Sequence, residues 1–264
     1  MAFEVIPGDA GSPVILHVPH ASRALAESGL ILDSAALGAE LDHLTDAYTD
    51  VIASRAAAAA VRRPWMLVNR LSRLVVDPER FPDETEEMLA VGMGPVYTHG
   101  YAGRRLREAD PARDAVLMKE HFFPYAEAMS TLVDSVLAGA GRAVILDVHS
   151  YPTAALPYEL HGDGPRPPIC LGTLAGHTPD WLLSAARAAF PGAGLDSPFA
   201  GAYVPLKHLG VTAEVSALMI EIRRDQYMLE PGGEPTDGLD RLAEAIAGLV
   251  DAVPVWVGAL RRGG

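Results

Sequence analysis

Val144-Ile145-Leu146-Asp147-Val148-His149-Ser150-Tyr151-Pro152 is the stretch on which the fold turns. A short apolar, partly β-branched run reads as a buried strand, and it delivers a histidine to its C-terminal end. In open α/β sheets ligands sit outside the carboxyl ends of the strands. Two other runs end in the same way. Val14-Ile15-Leu16-His17-Val18 leads into Pro19-His20, and Leu218-Met219-Ile220 leads into Glu221-Ile222-Arg223. Two histidines and a glutamate, each ending a different apolar run, form a metallohydrolase-type set.

Outward from these strands, the chain alternates strand and helix. Helices are expected over 34–62, 113–138 with a kink at Pro124, 179–189 and 236–250. Strands are expected over 14–18, 66–68, 74–76, 143–148, 169–171 and 218–222. Three Pro/Gly-rich stretches, 78–111, 151–167 and 191–208, read as loops, and long loops of this kind often bind ligands. The pattern argues an α/β fold, a mostly parallel or mixed sheet with helices on both faces. No linker divides it, so one domain spanning 1–264 is expected.

Composition narrows the function. Hydrophobic residues make up 49% and charged residues 21%, an ordinary globular balance. Lys+Arg minus Asp+Glu is 21 − 34 = −13. So acidic a surface repels phosphate backbones and anionic membranes, which argues against a nucleic-acid or membrane partner. The one cysteine, Cys170, permits no internal disulfide and no Cys-based zinc knuckle, and reads as a small core residue. The N-terminus lacks a basic, then apolar, leader pattern, and no apolar run is long enough to span a bilayer. A cytoplasmic location is expected. Nothing in the sequence speaks to oligomeric state.

His17 and His20 are three apart, and on a continuing strand they point to opposite faces. His20, just past the strand, is the better placed to meet His149. Asp147 and Ser150 could support His149 from behind. Hydrolytic zinc sites commonly use three protein ligands, so a third is needed, from Asp42, His43 or Asp46. Asp42 and Asp46 are i, i+4 and share a face of any continuous helix. Glu221 lies in an apolar strand, where a carboxylate is costly unless paired. It is either a site residue, such as a general base, or an ion-pair partner for Arg223 or Arg224. Arg62, Arg63, Arg70, Arg73 and Arg80 crowd one segment of an acidic chain, and arginine suits bidentate grip on a carboxylate.

Together these segments resemble the N-formylglutamate amidohydrolase family, itself similar in fold to the zinc carboxypeptidases. The resemblance rests on His17-Val18-Pro19-His20-Ala21-Ser22, Asp42-His43-Leu44-Thr45-Asp46, Ser72-Arg73 through Asp77-Pro78-Glu79-Arg80, and Asp147 through Pro152. Pro198-Phe199-Ala200-Gly201-Ala202-Tyr203, and Met219 through Arg223 with Tyr227, complete it in order along nearly the whole chain. The resemblance implies a phosphorylase/hydrolase-like sheet and metal-dependent hydrolysis of N-formyl-L-glutamate to glutamate and formate, a step of histidine degradation. It implies one divalent metal, zinc first, on His20, His149 and a carboxylate, for which Asp42 is preferred and Asp46 is the reserve. Glu221 would be the general base and Arg73 the oxyanion partner. Arg80, Arg223 and Tyr203 would hold a small anionic N-acyl amino acid.

Two positions depart from the carboxypeptidase pattern. The glutamate three residues after the first histidine is Arg23 here. The Asn before the arginine of the Asp-x-Asn-Arg motif is Glu79, which should repel a dicarboxylate. Alternatives are a deacylase or carboxypeptidase for another N-acyl amino acid or small peptide, and a non-catalytic metal- or carboxylate-binding relative.

Overall fold

The structure is a computed structural model that describes residues 2–254; residue 1 and residues 255–264, the ends of the expected 1–264 unit, lie outside the described residues. Its elements are β1 (Phe3–Ile6), β2 (Val14–Val18), α1 (Ser34–Leu44), α2 (Thr49–Ala59), β3 (Trp65–Asn69), α3 (Pro111–Leu117), α4 (Phe123–Ala140), β4 (Ala143–Tyr151), β5 (Ile169–Gly172), α5 (Asp180–Ala189), β6 (Gly194–Leu195), β7 (Val215–Arg223) and α6 (Gly238–Ala252). Seven strands form one sheet in the order β1-β3-β2-β4-β7-β5-β6. The pairs β3-β2, β2-β4, β4-β7 and β5-β6 are parallel, and β1-β3 and β7-β5 are antiparallel, so the sheet is mixed.

Strand parity explains both the packing and the site. Val14, Leu16 and Val18, with Val144, Leu146, Val148, Leu218, Ile220 and Ile222, face a core shared with α2, α5 and α6. The alternate residues Ile15, Ala143, Ile145, Val215 and Ala217 pack on the other face against Tyr125, Met129, Leu132, Val133 and Val136 of α4. Successive side chains point to opposite faces, so the next residues on the α4 side are His17, Asp147, His149, Met219 and Glu221. The register aligns His17 with Asp147, and His149 with Glu221. α4 covers the apolar half of that face and the polar half is left to the site.

Several expected elements differ. The helix expected over 34–62 is two helices. α1 ends at Thr45, whose backbone turns extended, and α2 starts after Tyr48, which has a positive φ of 66°. Between them the Asp46 amide donates to the His20 carbonyl, and the Thr49 hydroxyl to the Asp46 carbonyl. The 74–76 segment is not a strand. Leu74, Val75 and Val76 are buried in a turn, packed into clusters with Tyr97, Met88 and Phe122 rather than into the sheet. Around Pro124 the expected kink is one π-helical turn, Met118–Phe122, between α3 and α4. β1 and β6 are additional edge strands.

The long 78–111 connection is pinned from inside. Arg107 is fully buried and donates to the carbonyls of Tyr97 (2.7 Å) and Leu74 (2.6 Å). Hydrogen bonds from charged donors contribute about 1.5–3 kcal/mol each, and carbonyls left bare in the interior add a penalty. Arg107→Met is therefore expected to lower the unfolding free energy by about 3 kcal/mol, read as a fall in the urea midpoint at unchanged slope. A midpoint equal to that of the parent protein would contradict this role.

Candidate metal and hydrolytic centre

At the carboxyl ends of β2, β4 and β7 lies a cleft of about 710 Å³. His20 follows β2 across Pro19, which ends the strand and turns the chain. His149 and Glu221 stand side by side on β4 and β7. The break between α1 and α2 brings in Asp46, which is buried, with Oδ2 3.2 Å from His149 Nδ1 and 3.7 Å from His20 Nδ1. The three ligand atoms lie within 4.8 Å of one another. Two ligands about 2.0–2.2 Å from one tetrahedral ion would be roughly 3.3–3.6 Å apart, so the spacing suits a metal. His20 Nδ1 is moreover buried with no hydrogen-bond partner, as is Glu221 Oε2. Orphaned buried polar atoms lining one cleft call for a further occupant.

The far nitrogens are held by carboxylates. His20 Nε2 donates to Asp77 Oδ1 at 2.8 Å, which leaves Nδ1 as the lone-pair nitrogen facing Asp46. Glu79 Oε1 lies 3.3 Å from His149 Nε2, and its Oε2 lies 3.6 Å from His20 Nε2. Glu79 thus backs both histidines, a role its reading as a substrate-repelling replacement for Asn did not contain. Behind it, His17 donates from Nδ1 to Asp147 and accepts at Nε2 from the Tyr125 hydroxyl, both at 2.7 Å. Asp147 supports His17 rather than His149, and its other oxygen accepts from the Tyr203 amide. Gly172 makes that last contact possible. A Cβ there would sit 2.3 Å from the Gly201 carbonyl, and only glycine lets the 198–203 loop lie so close to β5.

Asp77 collects the arginines. It accepts from Arg73 Nη2 at 2.8 Å and from the Tyr97 hydroxyl, and Arg80 Nε lies 3.2 Å away. Arg73 Nε also donates to Tyr97 at 3.0 Å. Arg224 pairs with Asp46 Oδ1 at 3.2 Å and donates to the His43 carbonyl at 2.7 Å. Glu221 therefore forms no ion pair with Arg224, nor with Arg223.

Burial and charge oppose each other throughout. Burial would raise Asp46 and Asp77, yet His149 and His20 hold the first below its usual range, and Arg73, His20 and Arg80 hold down the second. Burial would raise Glu79 too, but His149, His20 and His17 keep it low. Burial would lower His149, but Glu79 and Asp46 outweigh it and hold the imidazole well above its usual range. At Glu221 burial wins against His149, and with Asp46 adding to it the carboxyl is pushed up to about 7.

Of the residues expected at the site, His20, His149, Glu221, Arg73, Arg80 and Tyr203 line the cleft. Asp42 does not join the cluster. The helix break at Thr45 separates it from Asp46, and it pairs with Arg23 at 2.7 Å on the surface. His43 presents its ring to Tyr101, centroids 4.1 Å apart. Arg223 does not line the cleft. It lies one strand row beyond Glu221, pairs with Asp225 at 2.8 Å and donates to the Arg166 carbonyl. Asp77, Glu79, Tyr97 and Arg224 were not assigned roles. The Asp-x-x-Arg spacing of 77–80 was a signal for the first two; Tyr97 lay in a loop with no local signal.

A family model for N-formylglutamate amidohydrolase matches residues 12–228, well over half of the chain. The chain belongs to the N-formylglutamate amidohydrolase family. Among solved structures it is similar to the N-formylglutamate amidohydrolase of Ralstonia eutropha JMP134, at 19% identity and a TM-score of 0.80 over 95% of this chain and 96% of that one. A gene product of Agrobacterium tumefaciens is similar at 19% identity and a TM-score of 0.65, over 94% of this chain and 90% of that one. At such identities the likeness is one of fold. No curated protein matches the chain. No helix among the described residues is long and apolar enough to cross a membrane.

The geometry separates the two candidate carboxylates. Asp46→Ala should abolish stoichiometric zinc uptake, measured by equilibrium dialysis and elemental analysis, whereas Asp42→Ala should retain it. Zinc lost from the Asp42 variant and kept by the Asp46 variant would reverse the assignment. Glu79→Gln should bind zinc about 10–100-fold more weakly, the usual cost of losing a carboxylate behind a ligand histidine; unchanged affinity would make Glu79 a bystander.

Proposed function

We propose that this chain is a metal-dependent amidohydrolase that cleaves the acyl amide of N-formyl-L-glutamate or a related N-acyl amino acid. The observation that carries the reading is the convergence of His20 Nδ1, His149 Nδ1 and Asp46 Oδ2 beside the orphaned Oε2 of Glu221. Family membership supports the hydrolase class and this bond type. His20, His149 and Asp46 would hold one divalent ion, with zinc the first choice for nitrogen and oxygen donors. When bound, the ion supplies Lewis acidity, polarising an amide carbonyl and lowering the pKa of water.

The protein's own groups do the rest. Glu221 takes a proton from the attacking water as the water oxygen bonds to the carbonyl carbon. It returns that proton to the nitrogen as the C–N bond breaks, leaving a carboxylic acid and an amine. Arg73, held in place by Asp77 and Tyr97, stabilises the oxyanion. Arg80 takes the α-carboxylate of the substrate. Its Nη atoms make only long contacts, 3.5 Å to Tyr97 and 3.7 Å to Glu86, and so keep donors available. Tyr203 lines the same cleft with its ring against His17, centroids 4.7 Å apart.

Glu221→Gln separates base from scaffold. The variant should fold, keep its metal and lose about a hundredfold to ten-thousandfold in turnover, the span of general acid–base groups. Near-parent turnover in a metal-loaded Gln variant would leave Glu221 a structural carboxylate. The arginines should divide in steady-state kinetics. Loss of Arg73 should lower kcat, since it acts on charge present only in the transition state, and loss of Arg80 should chiefly raise KM. If neither variant changes kcat/KM by about tenfold, the cluster serves structure alone.

A further inference from the structure

Granted the amidohydrolase reading, on which this inference rests, we propose that the substrate is an N-acyl amino acid with a large apolar side chain and only one carboxylate. The size of the cleft is the first observation. About 710 Å³ is the scale of sites that bury drug-sized ligands, far more than a formylated glutamate needs. Its mouth is the second. Phe81, Leu160 and Leu206 are 41%, 43% and 56% exposed, come from three separate loops, and all line this cleft. Single exposed apolar residues are ordinary, but three converging on one opening mark a binding surface.

Charge is the third observation. Every lysine and arginine lining the cleft already has a carboxylate partner. Arg73 and Arg80 share Asp77, Arg224 is on Asp46, and Lys207 is on Asp134. Of the arginines, Arg73 is assigned to the oxyanion and Arg224 is used up on Asp46, Ser150 and the His43 carbonyl, which leaves Arg80, whose Nη atoms make only long contacts, for one α-carboxylate. Against a second carboxylate stand Glu79 at the floor and the exposed Glu87 and Glu127 at the wall. Transfer of an unpaired carboxylate into such surroundings is unfavourable, whereas an apolar side chain loses nothing there and gains contact with the rim.

The test is formate release by the zinc-loaded protein from N-formyl-L-leucine, N-formyl-L-phenylalanine, N-formyl-L-glutamine and N-formyl-L-glutamate. The leucine and phenylalanine compounds should exceed the glutamate compound at least tenfold in kcat/KM. Glutamine, the neutral isostere, should also exceed glutamate. Equal or better hydrolysis of N-formyl-L-glutamate overturns the proposal and leaves the amidohydrolase reading standing. Binding is read independently as the rise in Tm that each compound produces in zinc-loaded Glu221→Gln, where the same order is expected. That order without any turnover by the parent protein would overturn the amidohydrolase reading, and with it the claim of a substrate, and leave only the cleft's preference for an apolar side chain; neither shift nor turnover with any of the four overturns both. Leu206→Lys, which removes apolar contact and offers a second carboxylate a partner, should cut the leucine-to-glutamate preference at least tenfold, and an unchanged preference would remove the rim from recognition and overturn the proposal.

Discussion

Asp77 is the contact through which the site is assembled. It is fully buried, and it receives the His20 imidazole, two guanidinium groups, the Tyr97 hydroxyl and the backbone amide of Glu79. Arg73, Arg80 and the Glu79 amide come from the same turn and His20 and Tyr97 from elsewhere, so one carboxylate ties that turn to His20 and fixes the position of both arginines. Loss of one partner from a buried ionic group typically costs about 3–5 kcal/mol, because the remaining charges are stranded. The 74–80 segment is therefore built as a turn and not as a strand. A strand would carry Asp77 along the sheet plane, away from the donors that stabilise it.

The balance of charge explains why the pieces fit a cation. Asp46, Asp77, Glu79, Asp147 and Glu221 are packed around the histidines, and Arg73, Arg80 and Arg224 are the guanidinium groups among them. The arginines are spent on Asp46 and Asp77. Asp147 and Glu221 receive no arginine, and burial pushes both carboxyls upward. A group of buried acids with too few cations is unfavourable unless some acids stay protonated or a positive charge enters. His20 Nδ1, which has no partner, and the His149 Nδ1–Asp46 Oδ2 pair converge where that charge would be best placed, a metal ion there taking the place of the proton between His149 and Asp46.

Much of the architecture was legible because strand parity is a strict rule. Alternation in 14–18, 143–151 and 215–223 places His17, Asp147, His149 and Glu221 on one face, and the apolar residues between them fill the other. Asp42 was misleading for an equally definite reason. The i, i+4 relation to Asp46 presumes a continuous helix, and the break at Thr45 is imposed from outside, by the His20 carbonyl that takes the Asp46 amide. The 74–76 run was apolar enough to resemble a strand, but short apolar runs carry no period to tell a strand from a packed turn. Glu79 was visible as an anomaly, yet its partners sit at the ends of two strands, His17 and His20 at β2 and His149 on β4, and no local pattern could have named them.

The division of labour within the cleft follows from these origins. The chemistry stands on the ends of adjoining strands and on turns locked by buried ion pairs, where a displacement of one group strands another. The mouth is made by the 78–111, 151–167 and 191–208 connections, whose exposed side chains carry few such obligations. Loops on a rigid scaffold can change without disturbing the frame beneath. Family membership and a shared fold therefore speak strongly for bond type and weakly for side chain. Glu79 lies on the boundary, tied to the histidines on one side and open to the cleft on the other. A change there cannot be made for the cleft alone, since the same carboxylate faces the Nε2 atoms of His20 and His149, so its acidity is set by the histidines beneath and inherited by the cleft above.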